Sequence, residues 1–88
     1  MIVSIRKSFK KDVSKIRDKK LLKRIANVIE NVRNAESIDD IRNLKKIAGH
    51  EFYYRIRIGN YRAGLEIIEE DAAFLRFGHR KDFYNFFP

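Results

Sequence analysis

Between residues 52 and 67 apolar and polar side chains alternate with a period of two, interrupted once at Gly59-Asn60. Period two marks a β-strand, whose successive side chains leave opposite faces. Phe52, Tyr54, Ile56 and Ile58 therefore share one face, and Tyr53, Arg55 and Arg57 share the other. Gly59-Asn60 is a two-residue hairpin signal of the primed-turn kind. Beyond it Tyr61, Ala63, Leu65 and Ile67 return on the apolar face, with Arg62, Gly64 and Glu66 behind them. A slip of one residue would bury arginines, so the register is well specified. Glu69-Glu70-Asp71 is a polar turn, and Ala72 to Phe77 reads as a third strand with Leu75, Phe77 and His79 on its core side.

Upstream the period changes. Ile2, Val3 and Ile5 make a short strand. Ser8 is placed to cap a helix carrying Phe9, Val13 and Ile16 at helical spacing. After Asp18 a second helix shows the stripe Leu21, Leu22, Ile25, Val28, Ile29 and Val32, with Lys19, Lys20, Lys23, Arg24, Asn27 and Asn31 opposite. Ser37 with Asp40 resembles a capping box, which predicts a helical turn over residues 38–43, closed by Gly49. The expected fold is α+β, in the order β-α-α-β-β-β: an N-terminal strand and a helical hairpin packed on a twisted antiparallel sheet.

A chain of 88 residues, 44% hydrophobic, supports one domain over residues 1–88 and a modest core. It has no cysteine, hence no disulfide framework and no thiolate metal site. His50 and His79 share no metal-ligand spacing with each other or with an acidic cluster, so neither metal nor cofactor is expected. The first residues lack the apolar run of a secretory signal, and no apolar run is long enough to cross a membrane. The expected location is the cytoplasm.

The net charge is +8, from 20 Lys and Arg against 12 Asp and Glu. All of the excess lies in residues 1–24, where Asp12 and Asp18 are the only carboxylates among ten basic side chains. A charge run is commonly just a solvated helix face, but at this density it favours a polyanionic partner. On the hairpin, no carboxylate falls between Phe52 and Leu65 to neutralise Arg55, Arg57 and Arg62. A half-exposed sheet places polar residues on its outer face in any case. Guanidinium, always charged and able to bind phosphate oxygens in bidentate fashion, nevertheless suits that face to RNA.

Residues 54–62, Tyr-Arg-Ile-Arg-Ile-Gly-Asn-Tyr-Arg, followed by residues 77–84, Phe-Gly-His-Arg-Lys-Asp-Phe-Tyr, closely resemble the RelE/ParE superfamily of bacterial and archaeal toxins. The likeness extends over nearly the whole chain in size and element order. It implies the toxin of a type II toxin–antitoxin pair, held by a cognate antitoxin. In the RelE branch such toxins are metal-independent endoribonucleases that cut mRNA on the ribosome, and the basic helices would face ribosomal RNA or the antitoxin. The positions matching the catalytic set are Arg55, Arg57, Arg62, Arg80 and Tyr84. By the same resemblance the alternatives are a ParE-like inhibitor of DNA gyrase and a non-catalytic RNA-binding or autoregulatory subunit.

Cleavage of this kind uses the 2′-hydroxyl as internal nucleophile. Arg62 and Arg80 are the natural phosphate clamps, and Tyr84 can stack on a base or take part in proton transfer. Family members often carry lysine where this chain has Arg55 and Arg57. Arginine does not deprotonate, so the general base is left unassigned. His79 has a suitable ordinary pKa, but its strand parity predicts packing. Glu66 shares the arginine face and is expected to pair with Arg57 or Arg62. Phe83, Phe86 and Phe87 are expected to close over the core or a partner.

Overall fold

The computed structural model describes all residues from Met1 to Pro88. The order is β1 (Ile2–Ile5), α1 (Lys7–Ser14), α2 (Lys19–Asn34), a 3-10 turn (Ile38–Asp40), β2 (Leu44–Lys46), β3 (Tyr53–Ile58), β4 (Tyr61–Ile68), β5 (Asp71–His79) and a short α3 (Arg80–Phe83). The strands form one sheet in the order β1-β5-β4-β3-β2. The α+β class and the predicted order therefore hold, with two additions. β1 pairs in parallel with β5, Ile2 opposite Asp71, so the sheet is mixed. β2, three residues long, pairs antiparallel with β3 and supplies the other edge.

α2 begins where Asp18 accepts hydrogen bonds from the backbone N–H of Lys20 (2.9 Å) and Leu21 (3.3 Å). Such a cap contributes about 1 kcal/mol. The α2 stripe delivers Leu21, Ile25 and Val32 into the core against Phe9, Ile56, Ile58, Ala63, Leu65, Ile67, Phe74 and Phe77. Each fully buried aliphatic side chain contributes roughly 1.5–3 kcal/mol over leaving it in water. Leu22, Val28 and Ile29 are half-buried at the margin of that core.

The hairpin register is Ile58 opposite Tyr61. Gly59 has a φ of 58° while Asn60 stays negative, the pattern of a II′ turn, which matches strand twist and calls for glycine at this first position. Phe52 lies outside β3 and is exposed rather than core-facing. On β5, parity breaks. Gly64 lies opposite Arg76 but Leu65 opposite Phe74, so Leu75 is an extra, bulged residue. Phe74 therefore takes the core position that alternation assigned to Leu75. The bulge lies where β1 ends and α1 takes over the edge of β5: Ser8 donates its hydroxyl to the Leu75 carbonyl. Ser8 is thus not the cap of α1. That position is Arg6, with no side-chain cap, and the helix starts one residue before Ser8. The turn predicted over 38–43 is confined to Ile38–Asp40, because the chain must extend from Ile41 to reach β2; its Ser37–Asp40 capping box is present.

The aromatic tail does not close over this core. Phe83 and Phe87 are buried on the opposite face of the sheet, in a separate cluster with Phe86. That face offers room at Gly64 and Gly78. A Cβ on Gly64 would stand 2.7 Å from the Phe87 ring, and one on Gly78 2.6 Å from the Phe86 ring. The sheet is therefore covered by two helices on one side and by a seven-residue aromatic strap, Lys81–Phe87, on part of the other.

Candidate nucleic-acid interface

Residues directly opposite each other in antiparallel strands share a face, so the register reads out the surface left beside the strap. Lys45, Arg55, Gly64 and Arg76 form one row across β2, β3, β4 and β5. Arg57, Arg62 and Gly78 form the next. Tyr53, Glu66, Ala73 and Ser4 form a third, on the far side of the first. Arg55, Arg57 and Arg62 are thus brought together as expected, and Lys45, on a strand too short to show periodicity, joins them.

Arg57 stands directly across from Arg62. Such pairs bring Cβ atoms to about 4.5–5.5 Å, and like charges there destabilise a sheet. Neither has a carboxylate partner: the ion pairs of the chain are Arg33–Glu30 and Arg76–Asp12. Glu66, expected to pair with Arg57 or Arg62, lies instead in the third row opposite Tyr53 and Ala73, out of line with both.

Two of the guanidinium groups are held by backbone. Arg62 Nη1 donates to the carbonyls of Gly59 (3.0 Å) and Tyr61 (2.9 Å). Arg55 Nη1 donates to the Asn43 carbonyl (3.2 Å), which also accepts from Arg57 N (3.3 Å). Asn43 has a φ of 61°, a conformation asparagine tolerates better than most residues, and the turn it makes delivers β2 to β3. Each arginine keeps further N–H groups for a ligand, since guanidinium carries five.

Arg80 is tied to the same hairpin, because its backbone N–H donates to the Asn60 carbonyl (2.8 Å). Its side chain is exposed at the start of α3. Tyr84 follows four residues later in the helical conformation, which puts it on the same side as Arg80. Tyr84 is 56% exposed, and its ring meets Phe83 edge-on at 5.1 Å. The buried Phe83 anchors the segment beneath it. His79 packs as its parity predicts: its ring meets Tyr61 edge-on at 5.2 Å, and Nδ1 accepts from the backbone N–H of Lys81 (3.2 Å).

One ion pair was not foreseen from the sequence. Asp12 of α1 accepts from Arg76 Nε (2.8 Å) and Nη2 (3.2 Å) and from the backbone N–H of Phe77 (2.9 Å). Burial pushes the Asp12 carboxyl up, but the hydrogen bonds from Arg76 and Phe77, with the charges of Arg76 and Lys15, outweigh it and hold the group below its ordinary value. The hydrogen bond that Arg76 donates to Asp12 raises the pKa of Arg76 against the opposing effect of burial. Arg76 also lies over the Phe86 ring at 4.2 Å, so one guanidinium joins α1, β5 and the strap. Local sequence carries no signal for a pair separated by so much chain.

The profile of the family described as "ParE toxin of type II toxin-antitoxin system, parDE" matches residues 3–84. The chain is 42% identical to Toxin RelE3 of Methanocaldococcus jannaschii over the full length of both. Among solved structures, it resembles the RelB–RelE antitoxin–toxin complex from Methanococcus jannaschii with a TM-score of 0.79 and 38% identity, covering all of both chains. The archaeal RelE–RelB complex from Pyrococcus horikoshii shares the fold, with a TM-score of 0.73 at 19% identity over 90% of this chain and 93% of that one. A profile match across nearly the whole chain and a full-length relative at this identity leave one conclusion: the chain belongs to the ParE toxin family of type II toxin–antitoxin systems and is a toxin of the RelE type.

Proposed function

We propose that this toxin is an mRNA endoribonuclease acting on ribosome-bound message in the cytoplasm, and that a cognate antitoxin restrains it. The observation that carries the reading is the arginine face: Arg57 directly opposite Arg62, Arg55 in the next row, and no carboxylate paired with any of them. Such an arrangement costs stability in the free protein and is relieved by a bound polyanion. The antitoxin partner is supported by similarity to toxins solved as RelB–RelE complexes.

In the proposed reaction the ribose 2′-oxygen attacks the adjacent phosphorus and loses its proton to a base. The bond from phosphorus to the 5′-oxygen breaks, and that oxygen takes up a proton. The products are a 2′,3′-cyclic phosphate and a 5′-hydroxyl. Arg62, already oriented by two carbonyls, and Arg80, tethered to the same turn, would hold the phosphate and stabilise the charge building on its oxygens. Arg55 and Arg57 would bind the flanking phosphates. The exposed ring of Tyr84 is free to stack on a base, and its hydroxyl can take part in proton transfer.

The test is expression of the toxin followed by primer-extension mapping of cellular mRNA with and without translation. Cuts confined to translated frames, abolished by Arg62→Ala and by Arg80→Ala, are expected. Cleavage and toxicity that survive both substitutions would remove the site assignment. The ParE name of the matching profile favours a second reading, inhibition of DNA gyrase. That activity would give a DNA-damage response with intact message.

A further inference from the structure

We propose a second nucleotide-binding subsite in the cleft between α2 and the turn leading into β2. It receives the same RNA strand after that strand leaves the arginine face, so it rests on the nucleic-acid reading above. The cleft has a volume of about 280 Å³ and is lined by Arg24, Asn27, Val28, Asn31, Arg42 and Asn43. A neighbouring depression of about 250 Å³ is lined by Asn43, Leu44, Lys45, Arg55 and Arg57. Asn43 belongs to both, so the two form one track round the short edge strand β2. No carboxylate lines either part.

The chemistry of the cleft differs from that of the sheet face. Arg24 and Arg42 supply charge for phosphate, whereas Asn27 and Asn31 offer amides, which both donate and accept and can meet a base edge. Asn31 already directs its Oδ1 to the backbone N–H of Arg42 (3.4 Å), which fixes the amide and leaves its NH2 for a ligand. Arg24 spans the space between α2 and the β3–β4 turn: its Nη1 lies 2.8 Å from where a Cβ on Gly59 would stand. The turn whose carbonyl holds Arg62 thus also borders Arg24, which ties the subsite to the arginine face. Val28 gives the apolar floor against which a base can lie.

The probe is 2′-O-methyl RNA, which has no nucleophilic hydroxyl and reports binding without cleavage. Affinities of the toxin for strands of about four and about ten nucleotides, the lower range of single-strand site sizes, would be measured by fluorescence anisotropy across a salt series. The double variant Arg24→Ala/Arg42→Ala should lose about tenfold in affinity, the loss confined to the long strand. Its salt slope on that strand should fall by about 1.4, because each lost phosphate contact on single-stranded nucleic acid removes about 0.7. A matched variant, Arg33→Ala/Lys46→Ala, removes the same charge from exposed positions outside the cleft, the arginine face and residues 1–24, and should bind both strands as the parent does. Equal losses in the two variants, equal losses on both strands, or no loss on the long strand would each overturn the subsite. Failure of the ribonuclease reading is recognised separately, as message left uncut by the unmodified toxin.

Discussion

Arg57 and Arg62 face each other across β3 and β4 although any shorter polar side chain would serve the sheet better. The cost of like charges in such a pair is a few tenths to about 1 kcal/mol. Arg57→Thr, which keeps a strand-favouring residue, is expected to raise the thermal midpoint by a few degrees while weakening RNA binding, checked by calorimetry alongside anisotropy. Asp12 presents the opposite case. Its side chain is 11% exposed and accepts three hydrogen bonds, two of them from a cation. Because its folded pKa lies below the ordinary value of 3.8, the stability it supplies is complete above that value and is lost as pH falls through it towards the folded pKa. Asp12→Asn should therefore cost roughly 1–3 kcal/mol at neutral pH and flatten the acid limb of the stability curve, measured by urea unfolding from pH 3 to 7.

At the level of elements, the strap and the bulge decide how the sheet is used. Phe87 is buried against Phe83 and Tyr53, so its ring cannot swing away from a new methyl group on Gly64. Gly64→Ala should destabilise by about 1–3 kcal/mol and loosen the segment carrying Tyr84, seen as altered near-ultraviolet dichroism and higher protease sensitivity after residue 80. Glu69 offers a gain instead. It holds a φ of 55° in the β4–β5 turn, and Glu69→Gly should recover up to about 1 kcal/mol, less the entropy glycine adds to the unfolded chain. What alternation and helical spacing could reveal was legible: the hairpin register, the α2 stripe, and the grouping of Arg55, Arg57 and Arg62. What depends on chain-distant geometry was not. Leu75 left the core because α1 replaces β1 along one edge of β5, which no local pattern encodes. Lys45 and Asn43 escaped notice because three residues cannot display a period. The strap sequence is aromatic on every side, and only the glycines beneath it show which face of the sheet it covers.

Over the whole molecule the charges are segregated. The lysines and arginines of residues 1–24 occupy α1, the first half of α2 and the residues just before each helix, whereas Glu36, Asp39, Asp40, Glu51, Glu69, Glu70 and Asp71 lie in the later turns and strand ends. RNA affinity should accordingly fall steeply as salt is raised from about 50 to 200 mM, with a log–log slope set by the number of phosphates engaged. The parallel pairing of β1 with β5 has a further consequence, one of timing. β1 is made well before β5, the strand it pairs with. Until β5 has emerged, α1 lacks the edge it covers and β4 lacks one of its two neighbours. Contacts this distant along the chain are made late in folding. Each newly made molecule therefore keeps its sheet open until β5 has been made, and only then can it reach its working shape.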